Sequence, residues 1–175
     1  MTEQDLFRLI HEVPDFPEPG VNFKDITPLL ANPSALHHVV ERFAAVVQRH
    51  SVDALVAIES RGFIFGAALS QRIEKPLVLA RKPGKLPREV ASESYQLEYG
   101  TTAIEVHQAD ILPGGRYAIV DDVIATGGTA QATSKLVSRL GGNVVCCVFL
   151  IELAFLAGRD VLGDLPVESL ISYSS

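Results

Sequence analysis

Four apolar runs, residues 54–58, 76–80, 117–120 and 144–151, are too short to be helices in their own right and lack alternating polar positions. Strands of this kind are covered on both faces, which in a compact chain means a mostly parallel sheet between helices. The intervening segments supply the covers. Leu36, Val39, Val40, Phe43, Val46 and Val47 form one stripe at helical period behind an Asn32-Pro33 start. Phe65, Leu69 and Ile73 repeat that spacing after the first run, and Leu136, Val137 and Leu140 do so before Gly141-Gly142. The expected architecture is α/β, a mostly parallel sheet flanked by helices on both faces.

A chain of 175 residues, 47% hydrophobic and 21% charged, fits one folded domain over residues 1–175 and is far from the signature of disorder. Its net charge of −6 argues against a sequence-independent grip on nucleic acid, which needs surplus Lys and Arg. The longest apolar run stops at Glu152, well short of the ~20 residues of a membrane span. Glu3, Asp5 and Arg8 make the start unlike a secretory leader, so a cytoplasmic location is expected. Cys146 and Cys147 are adjacent on an expected strand and point to opposite faces, which disfavours a disulfide. The five histidines show no metal-ligand spacing apart from the neighbours His37 and His38.

Two stretches fall outside the strand–helix alternation. In the first, Thr2 and Asp5 form a capping box for a short helix, and residues 14–28 are broken by prolines and Gly20 yet carry Phe16, Val21, Phe23 and Ile26. That pattern predicts an ordered loop packed on something. In the second, residues 81–100 are polar, charged and interrupted by Pro83, Gly84 and Pro87. A connection so long predicts a functional lid. Beyond it, residues 103–106 read as a modest strand.

The chemistry concentrates after the run 117–120, where Asp121-Asp122-Val123-Ile124-Ala125 leads into Thr126-Gly127-Gly128-Thr129. Two carboxylates at the C-terminal edge of a strand can accept hydrogen bonds from sugar hydroxyls. The N–H groups of a Gly/Thr turn, its hydroxyls and a helix N-terminus can surround a phosphate. An ordinary strand-end turn would need none of this coincidence. The spacing is neither that of a Walker loop nor that of a dinucleotide fingerprint. A ribose 5-phosphate cradle is the reading that uses every feature.

This segment resembles the phosphoribosyl pyrophosphate (PRPP) motif of the type I phosphoribosyltransferases, whose parallel sheet lies under a small hood. The resemblance implies that Asp121 and Asp122 hold the ribose hydroxyls and that Ala125, Thr126, Gly127, Gly128 and Thr129 bind the 5-phosphate. Three further stretches, residues 16–30, 58–66 and 81–100, are similar to the adenine phosphoribosyltransferases, and the likeness extends from about Val13 to Glu152. It implies an N-terminal hood over about residues 1–32 and a flexible lid over about 81–100. Phe23 would stack on adenine, with main-chain contacts from Asn22 and Lys24. Ser60 and Arg61 would face pyrophosphate and base, and Arg81, Lys82 and Lys85 would serve the pyrophosphate, Arg81 reaching toward a partner subunit. Glu98, beside Tyr99, would contact N7 of adenine, so that Glu98 and Arg61 are the expected catalytic residues.

The implied reaction is Mg²⁺-dependent purine salvage: adenine and PRPP give AMP and pyrophosphate. The ion would ride on PRPP with no direct protein ligand, and the enzyme would be a homodimer. Two other expectations share the cradle: a 6-oxopurine phosphoribosyltransferase, and a PRPP-sensing nucleic-acid-binding regulator without catalysis.

Overall fold

The computed structural model describes residues 1–96 and 100–174. The chain opens with α1 (Glu3–Phe7), capped by the expected reciprocal contacts of Thr2 and Asp5, and a small antiparallel pair, β1 (His11–Val13) and β2 (Phe23–Asp25). After α2 (Thr27–Leu30) comes α3 (Pro33–Arg49), whose Asn32 cap accepts the Ala35 N–H at 3.1 Å. Then follow β3 (Ala54–Ile58), α4 (Gly62–Ile73), β4 (Leu77–Ala80), β5 (Val90–Gln96) and β6 (Thr101–His107). The chain closes with β7 (Arg116–Ile124), α5 (Gly128–Arg139), β8 (Asn143–Leu153) and β9 (Val167–Tyr173).

Five strands form one all-parallel sheet in the order β4-β3-β7-β8-β9. One apolar core, with Val39, Phe43, Phe65 and Leu69, joins α3 and α4 to one face of the sheet. The other, with Leu136, Val137, Ile104 and Val106, joins α5 and β6 to the opposite face. Cys146 and Cys147 divide between these cores as expected. Burial pushes the Cys146 thiol up to about 12 and raises Cys147 as well, so neither is a nucleophile.

Strand order fixes where a ligand can enter. From β3 the chain moves outward to β4, then returns to the other side of β3 as β7 and continues outward through β8. The carboxyl ends of β3 and β7 therefore flank the point at which the order reverses, the usual crevice of an open α/β sheet.

Regular structure extends beyond the sequence expectations. Seven residues of the segment expected to lack it, residues 81–100, are β5, paired with β6 from Val90↔His107 to Gln96↔Thr101. This antiparallel arm lies across α5, where Arg139 Nη1 donates to Glu93 at 2.6 Å. The half-buried positions of β5 include Glu93 and Tyr95, separated by exposed serines, so hydrophobic alternation could not reveal it. Strand β9, at the sheet edge, and the three-residue strands β1 and β2 were likewise not anticipated.

Candidate active site

The site grows out of the junction between β3 and β7. Helix α4 begins at Gly62, where a Cβ would lie 2.8 Å from the Val120 carbonyl oxygen and 2.9 Å from Asp121 Oδ1. Only a glycine lets the helix start this close to the strand. Arg61 just before it then reaches across the crevice. Its Nε stands 2.8 Å from Asp122 Oδ2, and its Cζ lies 4.9 Å from the Phe23 ring centroid. One guanidinium thus links the carboxylate pair to the aromatic ring of the hood, whose edge meets Phe16 with centroids 5.2 Å apart.

The carboxylates are held in an unfavourable state. Burial, reinforced by the adjacent Asp122 charge, raises Asp121 well above the ordinary range. Burial also raises Asp122, with Arg61 opposing it. The buried Asp122 Oδ2 accepts no directed hydrogen bond among the described residues, so its contact with Arg61 is an ion pair in which the N–H is not aimed at the oxygen. A buried acceptor in this condition gains from a ligand hydroxyl.

Two hollows share Asp121, Val123 and Ala125. The larger, about 410 Å³, is lined by Glu59, Ser60, Arg61, Lys82 and both aspartates. The smaller, about 100 Å³, is bounded by Thr126, Gly127, Gly128 and Thr129 at the start of α5. Gly127 precedes the helix at φ +79°, a left-handed conformation that glycine adopts without penalty. The Thr129 hydroxyl donates to Tyr95 on β5 at 3.1 Å, tying the arm to the loop.

Not every anticipated side chain meets in this crevice. Register places Ile58 of β3 beside Ala80 of β4, so Glu59 comes next to Arg81. Arg81 Nε donates to Glu59 Oε2 at 3.0 Å, its Nη1 donates to the Lys85 carbonyl at 3.1 Å, and the Lys82 N–H also donates to Glu59 Oε2, at 3.1 Å. Burial opposes ionisation of Glu59, but these donors hold it below its ordinary value. Lys82 lines the larger hollow, whereas Arg81 and Lys85 are not among its lining residues. Lys24 points away from Phe23: its buried ammonium donates to Glu12 at 2.8 Å and lies 4.1 Å from the Tyr173 ring centroid. The Asn22 side chain donates to the same Glu12 carboxylate at 2.5 Å. Glu98 and Tyr99 lie outside the described residues.

Glu59, Tyr95, Glu12 and Tyr173 were not anticipated. Glu59 had a signal in principle, since it ends a buried strand as Asp121 does. The others are defined by partners remote in sequence.

Comparisons with known proteins agree with this geometry. A family model described as a phosphoribosyl transferase domain matches residues 26–160. An adenine phosphoribosyltransferase of Rubrobacter xylanophilus is 52% identical, over 98% of this chain and 94% of its own length. The crystal structure of adenine phosphoribosyltransferase from Thermoanaerobacter pseudethanolicus superposes with a TM-score of 0.96 at 46% identity, covering 98% of this chain and 100% of that one. The Saccharomyces cerevisiae enzyme, solved with an imino-altritol bisphosphate and adenine, gives 0.91 at 37% identity, covering 97% and 98%.

Proposed function

The chain belongs to the adenine phosphoribosyltransferases, and from that premise we propose that it joins adenine to C1′ of PRPP in the crevice between β3 and β7, releasing AMP and pyrophosphate. The observation that carries the reading is the single span from carboxylate pair to aromatic ring, with Arg61 between Asp122 and Phe23. A sugar site and a base platform are thereby held one guanidinium apart. The 6-oxopurine and regulatory alternatives gain no support from the relatives named above.

In this reading Asp121 and Asp122 accept the ribose hydroxyls, and the Asp122 oxygen that lacks a donor gains one. The N–H groups and hydroxyls around Ala125, Thr126, Gly127, Gly128 and Thr129 hold the 5-phosphate at the positive end of α5. Phe23 stacks on adenine, with main-chain contacts from Asn22 and Lys24. Ser60, Arg61 and Lys82 face the pyrophosphate, with Arg81 and Lys85 adding positive charge behind them. Substitution at C1′ proceeds with inversion through an oxocarbenium-like transition state, and no covalent enzyme intermediate is required. Glu98 manages the proton at N7 as N9 forms its bond, next to Tyr99. The segment 81–100 closes over the reactants and excludes water.

Magnesium fits this site as a passenger on the substrate. Asp121 and Asp122, which line the crevice, would serve the ribose hydroxyls, and the ion would arrive on the PRPP phosphates and keep several of its waters. Bound with PRPP, the ion would supply charge neutralisation at the pyrophosphate beside Ser60, Arg61 and Lys82. We propose a homodimer as the working form. A cytoplasmic place in purine salvage suits the two free, buried cysteines.

The test is a competition among bases. With PRPP and Mg²⁺ present, adenine should be converted to AMP while hypoxanthine and guanine are left over; preferential use of either 6-oxopurine would overturn the assignment.

A further inference from the structure

The connection between β8 and β9 passes directly behind the Gly/Thr loop. At Gly158 a Cβ would lie 2.1 Å from the Ala125 carbonyl oxygen and 3.0 Å from the Gly127 nitrogen. At Gly127 a Cβ would lie 2.2 Å from the Gly158 carbonyl oxygen. The two backbones touch with no room for a side chain on either. Gly127 has a positive φ, but Gly158 does not, so glycine at 158 answers to proximity alone. Ala157 before it holds φ +52°, an uncommon conformation that surrounding structure must enforce.

Arg159 anchors the same turn. Its Nε and Nη2 donate to the two oxygens of Glu152 at 2.6 and 2.7 Å, its Nη2 donates to Ser169 Oγ at 2.9 Å, and its Nη1 donates to the Val167 carbonyl at 2.5 Å. Ser169 Oγ in turn donates to Glu152 at 2.5 Å. Glu152 and Ser169 stand on neighbouring sheet strands, so a bidentate fork ties the turn to the central sheet. The first turns of α5 are held to the same segment, where Gln131 Nε2 donates to the Val161 carbonyl at 2.6 Å.

We propose that Gly158 and Arg159 are positioning residues that set the shape of the 5-phosphate loop, Gly158 by direct backbone contact and Arg159 by locking the turn that presents it. The inference rests on the reading that residues 125–129 hold the 5-phosphate. It goes further in assigning the loop's geometry to a segment that lines neither hollow of the site. A phosphate bound by several N–H groups is sensitive to their spacing, and a shift near 1 Å can cost on the order of 10²-fold.

The experiment measures ribose 5-phosphate, PRPP and Mg-pyrophosphate binding by calorimetry, together with KM and kcat. The proteins are the wild type, Gly158→Ala, Arg159→Lys and Arg159→Ala. Gly158→Ala should weaken ribose 5-phosphate and PRPP in parallel by roughly 10²-fold, raise KM for PRPP, and leave pyrophosphate affinity and KM for adenine near wild type. Arg159→Ala should act in the same direction, with partial rescue by Arg159→Lys, which keeps the charge but loses the fork. If Gly158→Ala fails to fold, the Arg159 pair carries the same selectivity test. Equal loss of all ligands, or unchanged ribose 5-phosphate affinity in the folded variants, would overturn the proposal. Failure of the underlying reading has its own sign: in the wild type, the amide resonances of residues 126–129 would not shift on adding ribose 5-phosphate.

Discussion

The cradle and the hood meet at Arg61 but are built in opposite ways. The cradle is backbone work: β7 runs buried from Tyr117 to Val120, Gly127 turns the chain, and glycine contacts behind the loop leave no slack. The hood is side-chain work, a pair of three-residue strands with β1 fully exposed, held by Glu12, Lys24 and Tyr173. A phosphate and a ribose offer charge and hydroxyls in fixed geometry, which a rigid strand–helix junction matches. A flat base asks for a face, which a thin layer can supply. The ligand group with the stricter geometry is thus assigned to the region whose backbone is the more closely packed.

The largest expected effect is at Glu98, which lies outside the described residues. If it transfers a proton to or from the base, Glu98→Ala should lose on the order of 10²–10⁴ in kcat with PRPP affinity nearly intact. Glu98→Gln separates the possibilities: proton transfer predicts a similar loss, and a hydrogen bond alone predicts a rate near wild type. Single-turnover AMP formation gives the answer, and a wild-type rate in the Ala variant would remove Glu98 from the mechanism.

Acid should separate the two regions without mutation. Asp121 and Asp122 have folded values above their unfolded ones, so the free cradle is favoured at low pH and loses that stability as pH rises through the raised values. Glu12 is held below its ordinary value chiefly by its hydrogen bond from Lys24, then by Asn22. Its contribution is present above the unfolded value and is lost as pH falls through the lowered one. Amide exchange of Phe23, Lys24 and Asp25, corrected for intrinsic rates, should therefore accelerate on acidification from about pH 6 to about pH 3 relative to the amides of β7. Parallel behaviour of the two sets would mean that Glu12 does not hold the hood.

A smaller effect is expected where the β5–β6 arm meets the loop. Tyr95→Phe removes the partner of the Thr129 hydroxyl and should cost about 1 kcal/mol, a several-fold rise in the Kd for PRPP. A titration that places the variant within error of wild type would show that the arm does not steady the loop.

Legibility followed the same division. The runs that became β3, β4, β7 and β8, and the stripes that became α3, α4 and α5, were readable because each carries its own hydrophobic pattern. The carboxylate pair and Gly/Thr loop were readable because they are contiguous. Strand β5 was hidden by polar residues at its half-buried positions, and the hood pair by its brevity. Glu12 with Lys24 and Tyr173, and Gly158 behind Ala125, were invisible for another reason: each gains its meaning from a partner elsewhere in the chain. A lone glycine does not announce what its missing side chain would strike.

The most direct test of the two-part site is a crossed comparison of Michaelis constants in Asp121→Asn/Asp122→Asn and Phe23→Ala. The paired Asn variant exchanges charge-assisted acceptors for weaker ones and should raise KM for PRPP by roughly 10²-fold, with KM for adenine little changed. Phe23→Ala removes a stacking face and should raise KM for adenine by about tenfold or more, with KM for PRPP little changed. If either variant raised both constants equally, or if the effects were exchanged, the assignment of ribose to the carboxylates and adenine to the hood would be contradicted.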